Sequence, residues 1–153
     1  MNTPKRTPRL YLDNCCLQRP LDNQTQPRIR VETEAVFALL SMVQAGEVVL
    51  CNSEALLYEI GRIPDLTRQA ESLSLLSLAR ENLWVTDDVE VLAAAFERQG
   101  IRALDAVHLA LASSAKVDYF CTCDDQSYRK ASSMSGLSCK VISLLNLVTE
   151  VSP

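Results

Sequence analysis

Five acidic side chains stand out for the apolar company they keep. Asp13 ends the run Leu10, Tyr11, Leu12 in "RLYLDNCC", and Asp124 and Asp125 close "VDYFCTCDD". Glu59 lies in "EALLYEIGRI", where Leu56, Glu59, Ile60 and Ile63 share one helical face by their i, i+3, i+4, i+7 spacing. Asp105 lies in "ALDAVHLALASSAK" on a face with His108, Leu109 and Ala112. A carboxylate set against a core costs free energy unless it is paired or bound to a cation, and neither helical face offers Lys or Arg. Each acid also has a structural reading. Asp105 sits in a first helical turn, where the macrodipole favours negative charge. Asp124 and Asp125 can cap a loop and the next helix, and Glu59 can lie at the edge of its face.

The elements that must position these acids follow from the hydrophobic pattern. Strands are expected at 10–12, 47–53, 83–87 and 117–125, with a fifth inside "KVISLLNLVTEV" ahead of a short final helix. Helices are expected at 31–46, closed by Gly46; at 54–63, with Ser53 as N-cap and Pro64 as stop; at 65–81; at 88–100, closed by Gly100; and at 103–116. Residues 14–30, polar and holding Pro20 and Pro27, read as a loop or short helix. Strand–helix alternation with only four glycines and no hairpin signal predicts an α/β fold with a parallel sheet. In such a sheet the ligand crevice lies outside the carboxyl ends of the strands. If the first and fourth strands are neighbours across the switch point, Asp13 meets Asp124 and Asp125 there.

The bulk properties frame that reading. A chain of 153 residues with 48% apolar content suits one domain with a real core, expected over 9–150 with 1–8 frayed. No apolar stretch has the length of a membrane span, and "MNTPKRTPRL" has no apolar segment behind its basic residues, so a soluble cytoplasmic protein is expected. Six cysteines without a paired framework are expected to be reduced and structural, and "CTC" at 121–123 has no second Cys/His pair at zinc spacing. The net charge of −4 is uneven: residues 1–30 carry six basic against two acidic side chains. That basic third reads either as an edge that meets a polyanion or as a solvated tip.

Together, "YLDN" at a first strand end, Ser53 to Glu59 as S-x5-E, "LDAVHLALA" at 104–112 and "TCD" at 122–124 resemble the PIN-domain family over residues 10 to about 148. That family includes metal-dependent ribonucleases, among them the VapC-type toxins of toxin–antitoxin pairs. The resemblance implies a five-stranded parallel sheet sandwiched by helices. It implies an acidic quartet of Asp13, Glu59, Asp105 and Asp124, with Thr122 nearby; the Thr-x-Asp pattern favours Asp124 over the adjacent Asp125. It further implies an RNA substrate, a small antitoxin protein as partner, and a homodimer.

Carboxylates alone repel a phosphodiester. Mg²⁺ or Mn²⁺ held by their oxygens inverts the local field, activates water and neutralises charge on phosphate and leaving oxygen. Asn14 and Thr122 are candidates to position water or phosphate, and Arg19, Arg28 and Arg30 to grip flanking phosphates. His108, the one histidine, reads as a packing or supporting residue rather than a general base, and Ser53 as an N-cap rather than a nucleophile. Two other readings compete. One is a catalytically silent binding module of the same fold. The other is a receiver-like signalling domain, which fits poorly because Asp13 has no acidic neighbour and Lys140 begins the fifth strand instead of ending it.

Overall fold

Leu10, Tyr11 and Leu12 are each 1% exposed or less, because their strand is covered on both faces. A parallel strand buried on both sides carries a continuous apolar run, as this one does. The computed structural model describes residues 6–153. It is an α/β domain in which five parallel strands, ordered β3-β2-β1-β4-β5, are flanked by eight α-helices. The strands are β1 (Arg9–Leu12), β2 (Val49–Ser53), β3 (Glu81–Leu83), β4 (Tyr119–Cys121) and β5 (Lys140–Ile142). The helices are α1 (Asn14–Gln18), α2 (Pro27–Gln44), α3 (Glu54–Gly61), α4 (Leu66–Leu76), α5 (Asp87–Arg98), α6 (Ala103–Ser114), α7 (Asp125–Ser132) and α8 (Leu144–Val151), with a 3-10 turn at Arg19–Leu21.

β1 lies at the centre, paired with β2 on one side and β4 on the other. The chain therefore reverses its direction of travel across the sheet between β1 and β4, the switch point at which the acids were expected to meet. Leu12 pairs with Cys121, and the Asp13 N–H extends the ladder to the Cys121 carbonyl at 2.9 Å. The turn after β1 and the turn after β4 thus lie side by side.

Several boundaries differ from the sequence reading. Helix α2 starts at Pro27 instead of 31, since proline at the first helical position loses no intrahelical bond. Residues 14–21 form a short helix and a 3-10 turn. β3 runs over Glu81–Leu83 rather than 83–87. Its register against Cys51, Asn52 and Ser53 ends there, and Thr86 then caps α5. α4 stops at Leu76, short of the expected 81. α7 had no helical prediction of its own; its polar sequence buries only Ala131. Of the stretch expected to fray, residues 1–5 lie outside the described residues, while the Pro8 carbonyl accepts the Val49 N–H at 2.8 Å. Among the described residues no helix is long and apolar enough to cross a membrane.

Candidate functional site

Asp13, Asp105 and Asp124 line one cleft of about 50 Å³ at the carboxyl end of the sheet. Each is placed by a different element. Asp13 caps α1, accepting the Asn14 N–H at 2.8 Å, and its other oxygen takes the Thr122 hydroxyl at 3.1 Å. Asp105 lies in the first turn of α6. Asp124 caps α7, accepting the Ser127 N–H at 2.9 Å. The capping reading thus holds for Asp124, and Asp13 is a cap as well, but a cap uses part of a carboxylate and leaves lone pairs free.

Glu59, on α3, stands beside Asp13 without lining the cleft. Oxygens of Asp13 and Glu59 and a ring nitrogen of His108 all lie within 4.8 Å of one another. Among the described residues no Lys or Arg nitrogen comes within 4.0 Å of any of these four acids. The electrostatic consequence is direct. Burial, and then the charges of Cys15, Glu59 and Asp105, hold the Asp13 carboxyl well above the ordinary carboxylate range, against the pull of the Asn14 N–H. Burial, with Glu59 and Asp124, also pushes Asp105 up, opposed by His108 and Arg102.

The partner of Glu59 is His108, which is fully buried and hydrogen-bonded to it through Nε2. One placement of protons satisfies a whole chain of groups. The Ser53 hydroxyl accepts the Leu56 N–H at 3.1 Å and donates to the Tyr11 oxygen at 2.7 Å. The Tyr11 hydroxyl donates to His108 Nδ1 at 2.5 Å, and Nε2–H donates to Glu59. Asn14 Nδ2 donates to the other Glu59 oxygen at 3.2 Å, while Asn14 Oδ1 accepts from Gln18 at 3.1 Å. His108 therefore aims Glu59, and Asn14 and Thr122 hold acids in place instead of facing the cleft as free donors. Tyr11 was missed by the sequence reading. Its position inside an apolar strand gave no sign that its hydroxyl had a partner.

Asp124 and Asp125 part company. Asp125 makes two 2.9 Å bonds to Arg28, whereas Asp124 turns into the cleft. The three arginines proposed as phosphate grips divide as well. Arg28 is held by Asp125, by Glu32 at 2.7 Å and by the Cys123 carbonyl at 3.1 Å. Arg19 is held by Asp22 at 3.0 Å and by the buried Glu32. Both are structural ion-pair partners, because Glu32, 4% exposed, needs positive charge beside it. Arg30 is exposed and has no ion pair among the described residues. The basic N-terminal third is thus largely neutralised by acids of the body. The cationic side chains that do line the cleft are Arg102 and Lys130, which sequence reasoning missed because nothing local ties either to the acids.

No family model and no curated protein matches the chain. The fold has a counterpart among solved structures. The crystal structure of PAE2754 from Pyrobaculum aerophilum superposes with a TM-score of 0.59 at 14% identity, covering 95% of this chain and 90% of that one. At such low identity the likeness concerns the fold alone.

The donor set fits a hard divalent cation. It consists of carboxylate oxygens, among the described residues no Lys or Arg is paired with it, and burial raises the cost of leaving its charges uncompensated. Two unit charges about 5 Å apart repel by roughly 3 kcal/mol at an effective dielectric near 20, before relaxation. A cleft of about 50 Å³ has room for an ion and water.

Proposed function

We propose that the protein is a PIN-type, metal-dependent endoribonuclease that hydrolyses RNA phosphodiester bonds. The observation that carries this reading is the group of three acids, Asp13, Asp105 and Asp124, lining one cleft beside Glu59 with no Lys or Arg among the described residues paired to any of them. Asp13, Asp105 and Asp124, with Glu59 at the side, would hold Mg²⁺ or Mn²⁺. When bound, that ion supplies an activated water and positive charge for the phosphate and leaving oxygen. His108 and Asn14 orient Glu59, and Thr122 orients Asp13. Arg102 and Lys130 offer positive charge to a backbone lying across the mouth of the cleft. The same reading places the protein in the cytoplasm as the toxin of a toxin–antitoxin pair, with a small antitoxin as inhibitor and a homodimer as its assembly.

Labelled single-stranded RNA, incubated with purified protein in Mg²⁺ or Mn²⁺ and again in EDTA, tests the proposal. Cleavage is expected only with metal, and is expected to be lost in Asp13→Asn, Asp105→Asn and Asp124→Asn but kept in Asp125→Asn. Cleavage that survives both EDTA and loss of Asp13 would falsify the metal mechanism. RNA binding without cleavage by any metal-loaded preparation would favour the silent binding module.

A further inference from the structure

Four of the six cysteines gather at the same switch point. One comes from each of four positions on two turns: Cys15 and Cys16 follow β1, while Cys121 and Cys123 sit at and after the end of β4. The sulfurs of Cys15, Cys16 and Cys123 all lie within 4.8 Å of one another, and Cys16 Sγ is 3.9 Å from Cys121 Sγ. All four are free thiols. In the sequence, "CTC" at 121–123 has no second Cys/His pair at zinc spacing. The parallel pairing of β1 with β4 brings together cysteines more than a hundred positions apart.

Buried thiols often serve only as small apolar fillers. Three features set this group apart. First, Cys15 Sγ faces two oxygens, the Thr122 hydroxyl at 3.4 Å and an Asp13 carboxyl oxygen at 3.5 Å. Second, the Cys123 N–H points at Cys15 Sγ at 3.5 Å, a donor of the kind that supports a metal-bound thiolate. Third, the cluster can be reached. Cys15 is partly exposed, and Cys123 borders an open cleft of about 500 Å³ that also involves Arg28, Glu32 and Tyr128. Among the described residues neither Cys51 nor Cys139 belongs to such a group of sulfurs; Cys51 lies on β2 with its Sγ 3.8 Å from a Glu81 oxygen.

We propose that Cys15, Cys16 and Cys123, with Cys121 available as a fourth ligand, form a binding site for a thiophilic d¹⁰ cation such as Zn²⁺. Zinc–sulfur bonds of about 2.3 Å place tetrahedral sulfurs about 3.8 Å apart, so the sulfurs of Cys15, Cys16 and Cys123 need draw together by at most about 1 Å. Thiolates select Zn²⁺ over Mg²⁺ or Mn²⁺, whereas the carboxylates next door have the opposite preference. The two sites therefore sort metals by hardness while sharing two turns. An ion here ties the turn that carries Asp13 to the turn that carries Asp124. The proposal does not depend on nuclease activity.

Reduced, metal-free protein is titrated with Co²⁺, whose thiolate charge-transfer absorption reports sulfur ligation, and the Co²⁺ is then displaced by Zn²⁺. One equivalent is expected to give the band. Cys123→Ser and Cys15→Ser should lose it, while Cys51→Ser, Cys139→Ser and Asp105→Asn should keep it. In a second measurement on the unaltered chain, stoichiometric Zn²⁺ should slow alkylation of Cys15 by roughly tenfold or more, as expected when the free thiol is depleted by binding, and should leave Cys139 unaffected. No thiolate band, a band that persists in a folded Cys123→Ser protein, or unchanged alkylation of Cys15 overturns the proposal. The alkylation result decides the matter even if the serine variants do not fold.

Discussion

The two ends of the sheet handle acidic side chains in opposite ways. At the amino end, Arg9 bonds both oxygens of Glu81 at 2.7 and 2.9 Å and also reaches the Ala115 carbonyl at 2.7 Å. Asp118 accepts the Arg9 N–H at 2.7 Å and pairs with Arg6. At the carboxyl end, Asp13, Asp105 and Asp124 converge with no such partner among the described residues, and Glu59 has a histidine. The protonation behaviour follows. Arg9 pulls Glu81 below the ordinary carboxylate range, whereas burial and mutual repulsion push Asp13 and Asp105 above it. One end uses charge to close the fold. The other gathers carboxyls without such a partner, and two of them hold their protons to higher pH.

Changes at the two ends should therefore have opposite signs. The largest effect expected is on activity: Asp13→Asn should lower metal-dependent RNA cleavage about a thousandfold, or roughly 4 kcal/mol in barrier, in single-turnover assays. Next comes His108→Ala. It leaves Glu59 and Tyr11 without their buried partner and opens a void, so urea unfolding should show a loss of about 2–4 kcal/mol. Third, the same Asp13→Asn protein, freed of metal, should be as stable as the parent or more so by about 1 kcal/mol, and Mg²⁺ should raise the melting temperature of the parent more than that of the variant. Strong destabilisation instead would make Asp13 primarily a helix cap and erase the contrast. Glu81→Gln should do the reverse, costing about 0.5 kcal/mol, since the pair with Arg9 is partly solvent-screened.

The smallest effect is in the pH dependence, and it carries the sign of each end. Asp13 and Asp105 hold their protons more tightly folded than unfolded. The stability they contribute is full below the ordinary carboxylate range and is lost as pH rises through their raised values. Glu81 is the reverse. Its contribution is full above the ordinary range and is lost as pH falls through its lowered value. Melting temperatures of metal-free parent, Asp13→Asn and Glu81→Gln from about pH 2 to 8 should diverge in opposite directions, Glu81→Gln at the acid end and Asp13→Asn above it. Parallel curves would show that the two ends are electrostatically alike.

Much of this was legible in the chain itself. Continuous apolar runs at 10–12 and 119–121 mark strands buried on both faces, and the helical spacing around Glu59 and Asp105 places each acid on an inward face, because side-chain direction follows backbone period. Ser53 as a cap follows from its type and its place before an apolar helix. Partnership was not legible. Nothing local distinguishes Asp124, which faces the cleft, from Asp125, which is bonded to an arginine 97 positions away. Nor could local pattern show that Arg28 pairs with Glu32 and Asp125, that His108 links Tyr11 to Glu59, or that four cysteines from two distant turns gather at one switch point. Periodicity reports which way a side chain points. What it meets there is set by the β1–β4 pairing at the switch point, a contact between strands more than a hundred residues apart that only the packed sheet decides.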